Sequence, residues 1–222
     1  MAPPEQIRTM LPARHVYHLA DAENWASIQR RGLLSATWLL ALSGLSADEQ
    51  ARIERTQRPA SLTLPGGAVL RDQVPMPPSA LARCLVDMTP SEWYALINSK
   101  VFFWFDIERL NRQRRASGIS PDAVVMTIDV ERLLAAYGGR AHLSPFNTGN
   151  ARRRPAIRGR ASFVPYAAWR ENRWASEAVA LGTRPRAASH RPVELTVADA
   201  VPEVMDFVVS LRHLSRDEAF AG

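Results

Sequence analysis

Two residues far apart in the chain have the types and settings that chemistry needs. His18 stands in the run His15-Val16-Tyr17-His18-Leu19. Alternation there predicts a short strand with Val16 and His18 on one face and Tyr17 and Leu19 on the other, so a rigid element carries the imidazole. Glu194 stands in Val193-Glu194-Leu195-Thr196-Val197. The same alternation sets its carboxylate opposite an apolar stripe, where a cleft can receive it. Each residue also has an ordinary reading, a hydrogen-bonded sheet histidine and a solvated or arginine-paired acid. Other sites are excluded. The sole lysine, Lys100, follows serine, so no Gly-x-x-x-x-Gly-Lys phosphate loop exists, and neither Gly-x-Gly-x-x-Gly nor Gly-x-Ser-x-Gly occurs. A single cysteine, Cys84, rules out an internal disulfide and a cysteine-rich zinc site. His15 and His18 fall on opposite faces of their strand, so no metal site is expected.

The charge is placed unevenly. Residues 151–191 hold ten arginines against Glu171 and Glu177, a local balance of +8 in a chain whose formal net charge is +6. Arginine supplies 27 of the 28 basic residues, a bias that codon usage alone produces, so only the clustering is informative. Such a cluster attracts a phosphate-bearing partner such as nucleic acid, with Trp169 and Trp174 available for stacking. The alternative is a solvated arginine-rich loop.

These residues need a scaffold, and 222 residues suffice for one. With 46% hydrophobic and 23% charged residues the composition is globular, excluding extended disorder and fibrous repeats. The apolar runs at 38–42 and 101–105 are far short of the roughly 20 residues that span a bilayer. Met1-Ala2-Pro3-Pro4-Glu5 has no apolar stretch after a basic start, so no secretory signal is expected and the cytoplasm is the expected location. After the first strand come an acidic turn at Asp21–Glu23 and a helix through Trp25 and Ile28 that Gly32 ends. A helix over 47–58 has Ser46 as N-cap and Glu49 in its third position. Runs at 61–64 and 68–70 flank Pro65-Gly66-Gly67 as a hairpin. Helices follow over 79–86 and 90–98, the second capped by Thr89. The run 101–105 reads as a buried strand in which consecutive aromatics feed both faces. A charged helix from 106, a core strand over 123–128 and a helix from 129 come next. The basic stretch is expected to be a long loop with one helix near 167–174, and strands over 193–197 and 204–211 close the chain. No repeat or linker divides it, so a single α+β domain over 1–222 is expected.

Tyr17-His18-Leu19, followed by Asn24-Trp25, Ile28 and Gly32-Leu33-Leu34-Ser35, resembles the opening of the DarT family of DNA ADP-ribosyltransferase toxins. Val193-Glu194-Leu195-Thr196-Val197 with Val201-Pro202 is similar to the close of that family and of the RNA 2′-phosphotransferases. The whole chain, including 70–76, 101–104 and 144–149, more closely resembles an uncharacterised bacterial family. The middle departs from DarT: its nucleic-acid loop has no counterpart, and residues 78–98 form two helices instead.

The resemblance implies an ADP-ribosyltransferase-like fold, a split antiparallel sheet flanked by helices that grips NAD in a cleft. NAD is then a substrate, Glu194 the catalytic carboxylate and His18 an anchor for a ribose hydroxyl. Asn24 belongs to the same motif and is expected near the dinucleotide. Cleaving the nicotinamide bond develops positive charge on the ribose, which a fixed carboxylate stabilises. An arginine is expected at the pyrophosphate, Arg71 first and Arg158 second. One ring of the 102–105 run, Phe103, is expected against nicotinamide, and Asn147 in the Ser144–Gly149 turn is a further ligand donor. RNA 2′-phosphate transfer to NAD is a second enzyme reading. A non-catalytic module holding nucleic acid or another anion through 151–191 is the alternative from another class.

Overall fold

A computed structural model of the protein describes residues 11, 13–116 and 122–222. Strand β1 (His15–Asp21) leads through a 3-10 turn into helix α1 (Trp25–Arg31), which Gly32 ends. Gly32 has φ of 70°, and a Cβ there would lie 2.1 Å from the carbonyl oxygen of Pro202. Only glycine lets this segment pass so close and form β2 (Leu33–Leu34). Helices α2 (Ala36–Ala41) and α3 (Ala47–Arg55) follow, the latter with the reciprocal Ser46–Glu49 capping box. Strands β3 (Leu62–Thr63) and β4 (Val69–Leu70) form the hairpin, turned by Gly66 and Gly67 at φ of 90° and 87°. Helices α4 (Pro78–Ala82) and α5 (Pro90–Asn98) precede strand β5 (Lys100–Trp104), and Thr89 and Glu92 cap α5 reciprocally. Then come α6 (Ile107–Ala116), β6 (Ala123–Asp129), α7 (Val130–Tyr137), β7 (Ala141–Ser144) and β8 (Val164–Pro165). Helices α8 (Tyr166–Asn172) and α9 (Ala175–Leu181) lead to β9 (Glu194–Ala198), β10 (Ala200–Val201) and β11 (Val208–Leu214).

The protein is a single domain of helices and strands built on one large antiparallel sheet of seven strands, in the order β11-β6-β1-β5-β9-β7-β8. Alternation gives the central strands β6, β5 and β9 two buried faces, while the edge strand β11 is largely exposed. Val16, Phe103, Met126 and Leu195 enter one core with Leu133 of α7 and with Trp169 and Trp174. On the opposite face Leu19, Trp104 and Val125 pack with Leu110 of α6 and with Phe220. A third cluster, around Met76, Leu81, Trp93 and Ile97, packs against Phe102. The aromatic run therefore does feed both faces of the sheet. No helix among the described residues is long and apolar enough to cross a membrane.

Several boundaries differ from those expected. Helix α3 stops at Arg55 because Arg58 is drawn inward, where its Nε donates to the carbonyl of Arg71 at 2.9 Å. Helix α4 ends at Ala82, and residues 204–207 form a 3-10 turn before β11 begins at Val208. The basic segment contains two helices rather than one. Its tryptophans point inward, with Trp169 2% and Trp174 1% exposed, which removes them as stacking platforms for nucleic acid. Trp174 instead donates its indole N–H to the carbonyl of His190 at 2.8 Å.

Candidate functional site

The sheet opens between β1 and β5. Strand β1 pairs with β6 over seven residues, but with β5 only through Tyr17 opposite Trp104. Beyond that pair the two strands diverge, and His18 closes part of the gap with Nδ1 2.8 Å from the carbonyl oxygen of Phe102. Burial pushes the His18 pKa down to about 4, outweighing that bond, with Arg71 lowering it further. The ring is therefore neutral at pH 7. A carbonyl only accepts, so Nδ1 carries the hydrogen and Nε2 keeps its lone pair.

Two adjoining pockets flank the opening. The smaller, of about 170 Å³, is lined by β1 residues His18 to Asp21, by Asn24 and by the hairpin end, Val69 to Arg71. The larger, of about 300 Å³, is lined by Lys100, Phe102 and Trp104 of β5, by Asn147, and by Glu194. Ala36, Arg58 and Arg71 line both. Tyr17, Trp104 and Glu194 are in cross-strand register and share one face of the sheet, so His18, one residue on, belongs to the other. The imidazole and the carboxylate thus sit two strands apart, about 10 Å between backbones. They meet only through the arginines between their pockets.

Glu194 is 2% exposed. Its carboxylate accepts from the backbone N–H of Thr148 at 3.1 and 3.2 Å and from Thr148 Oγ1 at 2.7 Å. Burial raises its pKa to about 7, with the Thr148 hydrogen bonds, Arg158 and Arg109 pulling the other way. Arg158 fixes the loop that carries Thr148. It is 1% exposed, donates to the carbonyls of Thr148, Asn150 and Ala156, and lies over the ring of Phe146 at 5.0 Å. These bonds occupy Arg158, the second choice for a pyrophosphate contact, inside the loop.

Arg71 stands at the junction of the pockets. Its Nε is 3.9 Å from an oxygen of Asp21, and its Nη1 is buried without a hydrogen-bond partner among the described residues. Arg58 beside it is 9% exposed, with Nη1 likewise unpartnered. In the larger pocket five basic side chains, Arg58, Arg71, Lys100, Arg109 and Arg112, face two acids, Asp72 and Glu194. Such a lining favours an anion.

Of the residues expected at a site, His18, Asn24 and Arg71 share the smaller pocket, and Arg71, Asn147 and Glu194 share the larger. Two of them are engaged in the scaffold. Phe103 is fully buried in the core, its ring centroid 5.7 Å from that of His18, and it lines neither pocket; Phe102 and Trp104 present the rings instead. Asn24 spends its amide on the hairpin, donating to the carbonyl of Val69 at 2.9 Å and accepting from its N–H at 2.8 Å. Sequence reasoning missed Arg58, Lys100 and Thr148. Thr148 lies in the turn already singled out, but no local pattern shows that its N–H meets Glu194. Among the described residues no group of three or more His, Cys, Asp or Glu side chains is arranged to hold a metal ion.

No curated protein and no solved structure matches the chain. The family described as "Family of unknown function (DUF7002)" matches residues 14–208, which take in both strands at the opening and both pockets, and the chain belongs to that family.

Proposed function

We propose that the protein is an NAD-dependent ADP-ribosyltransferase whose substrate lies across the opening between β1 and β5, in an ADP-ribosyltransferase-like fold. The observation that carries this reading is the opening itself. A sheet parted after one residue pair has a neutral histidine on one bank, a buried carboxylate one strand beyond the other bank and on the opposite face, and arginines lining the pockets of both. Glu194, ionised, stabilises the positive charge that develops on the ribose as the nicotinamide bond breaks, and orients a ribose hydroxyl. His18 accepts a hydrogen bond from a ribose hydroxyl through Nε2. Arg71 binds a pyrophosphate oxygen through the Nη1 that the protein leaves without a partner. Asn147 offers a further donor at the rim, and Phe102 or Trp104 takes the stacking role first expected of Phe103. Nucleic acid is a fitting acceptor, with Arg152, Arg153 and Arg154 exposed beside the pocket residue Asn150.

The test is nicotinamide release from NAD, with nucleic-acid and protein acceptors supplied. Wild type is expected to release it, and Glu194→Gln to be slower by about 100-fold or more. Equal rates, or no release by wild type with any acceptor, would overturn the assignment. Binding without turnover is a second reading, favoured by the excess of basic over acidic side chains in the larger pocket. Saturable NAD binding with no nicotinamide release distinguishes it.

A further inference from the structure

Two cations in the larger pocket are nine-tenths buried yet, among the described residues, lack a counter-ion in hydrogen-bond contact. Arg58, 9% exposed, gives its Nε to the carbonyl of Arg71 and its Nη2 to Asn98 Oδ1 at 3.1 Å, both uncharged acceptors. Its Nη1 has no hydrogen-bond partner among the described residues. Lys100 is 8% exposed. Its Nζ lies 4.8 Å from the centroid of the Phe163 ring, and no hydrogen bond or ion pair holds it among the described residues. Both line the larger pocket, Arg58 reaching Asn98, which precedes Lys100 by two residues at the junction of α5 and β5. Asp72 and Asp199 are close enough to favour the charged forms of Arg58 and Lys100 respectively, but burial outweighs them. The pKa of Arg58 falls to about 10 and that of Lys100 to about 8. Burying a cation is unfavourable unless an anion compensates it.

We propose that Arg58 and Lys100 form an anion subsite for a phosphoryl group, distinct from the Glu194 centre. Lys100 and Trp104 share one face of β5 and are separated by four residues, about 13 Å along the strand. Trp104 is in register with Glu194, so the subsite lies about that far from the carboxylate. The ligand that fills the pocket is then an extended one, with a phosphoryl group that distance from the atoms next to Glu194. The subsite stands on the charge and burial of the pocket and does not depend on the transfer reaction.

Because Lys100 is the only lysine in the chain, it reports on its own occupancy. The experiment is acetylation of the full-length folded protein with acetic anhydride near pH 8, read peptide by peptide by mass spectrometry, with and without inorganic pyrophosphate. Pyrophosphate is expected to slow labelling of Lys100 by about tenfold while leaving the α-amino group unchanged, and sodium chloride at equal ionic strength is expected to have no such effect. In Arg58→Gln the protection is expected to disappear. Lys100→Met, checked for native circular dichroism, gives a reading independent of labelling: its affinity for pyrophosphate by calorimetry is expected to fall by about tenfold. Labelling of Lys100 unaffected by pyrophosphate, or equally slowed by sodium chloride, overturns the subsite. So does unchanged pyrophosphate affinity in folded Lys100→Met. Nicotinamide release plays no part in these readouts, so failure of the transfer reaction leaves them standing.

Discussion

Glu194 holds its proton against its surroundings and must lose it to do chemistry. Its pKa stands at about 7 because burial outweighs two donors from Thr148 and the charges of Arg158 and Arg109. Stabilising a cationic ribose needs the ionised form, so nicotinamide release is expected to rise with pH through about 7 and then level off. Thr148→Val removes the hydroxyl donor but keeps the N–H, so it moves that midpoint alkaline by about 1 unit, which a pH–rate profile measures. The same shift acts on stability. A folded pKa above the unfolded value of 4.5 means that the contribution of Glu194 is complete below pH 4.5 and is lost as pH rises through 7. In Glu194→Gln the amide oxygen can still accept from Thr148, and no charge is buried at any pH. The variant is therefore expected to be more stable than wild type at pH 8 by about 1–3 kcal/mol in urea unfolding, an advantage that vanishes below pH 4.5. At this scale the sequence is readable where alternation decides the matter. His18 with Val16, and Glu194 opposite Leu195 and Val197, follow from strand periodicity. Thr148 does not, because its partner lies 46 residues away and only the fold brings them together.

Elements were legible where local chemistry ends them. Ser46 with Glu49 forms the reciprocal cap its spacing announces, Thr89 caps α5, and Pro65-Gly66-Gly67 turns the hairpin. The end of α3 was not legible, because the pull on Arg58 comes from Arg71 and Asn98, which local sequence does not display. The parting of β1 from β5 was not legible, because nothing in either strand's own pattern limits their pairing to one residue pair. Two short contacts hold the elements around that opening. Asn24 clamps the hairpin through both backbone groups of Val69, next to Leu70 and Arg71. Asn24→Ala is expected to cost about 1–3 kcal/mol and to weaken ligand affinity through Arg71, while leaving the pH midpoint set by Glu194 in place. Gly32 lets β2 reach β10. Gly32→Ala adds a Cβ that would meet the backbone of Pro202 at 2.1 Å, in a conformation that already disfavours side chains. It is expected to destabilise the protein by about 3 kcal/mol or more, measured by chemical denaturation; a loss below about 1 kcal/mol would show that this close approach is easily relaxed.

On the scale of the molecule, composition showed where the arginines cluster but not which way they face. Arg158 and Arg186 turn inward, the second to the buried carboxylate of Glu177 at 2.8 and 3.1 Å, so these two serve as scaffold while Arg152 to Arg154 stay exposed. The same inward use of arginine closes the other end of the chain. Arg114 of α6, 2% exposed, donates through Nε to the carbonyl of Glu218 at 2.8 Å, and Asn111 of the same helix exchanges two hydrogen bonds with the backbone of Phe220. Phe220 in turn packs edge-on against Tyr17 of β1, ring centroids 5.6 Å apart. The last residues therefore tie α6 to the strand on the far bank of the opening, and α6 carries Arg109, Arg112 and Gln113 into the larger pocket wall. Removing residues 215–222 strips Arg114 of its acceptors in this tail and uncovers Leu110 and Tyr17, at an expected cost of about 3 kcal/mol or more. The effect should not stay local. Amide hydrogen exchange is expected to accelerate along α6, and affinity for pyrophosphate to fall with it, because three wall residues lose their fixed positions. Faster exchange in α6 with pyrophosphate affinity unchanged would show that the anion is held by Arg58 and Lys100 without help from that helix.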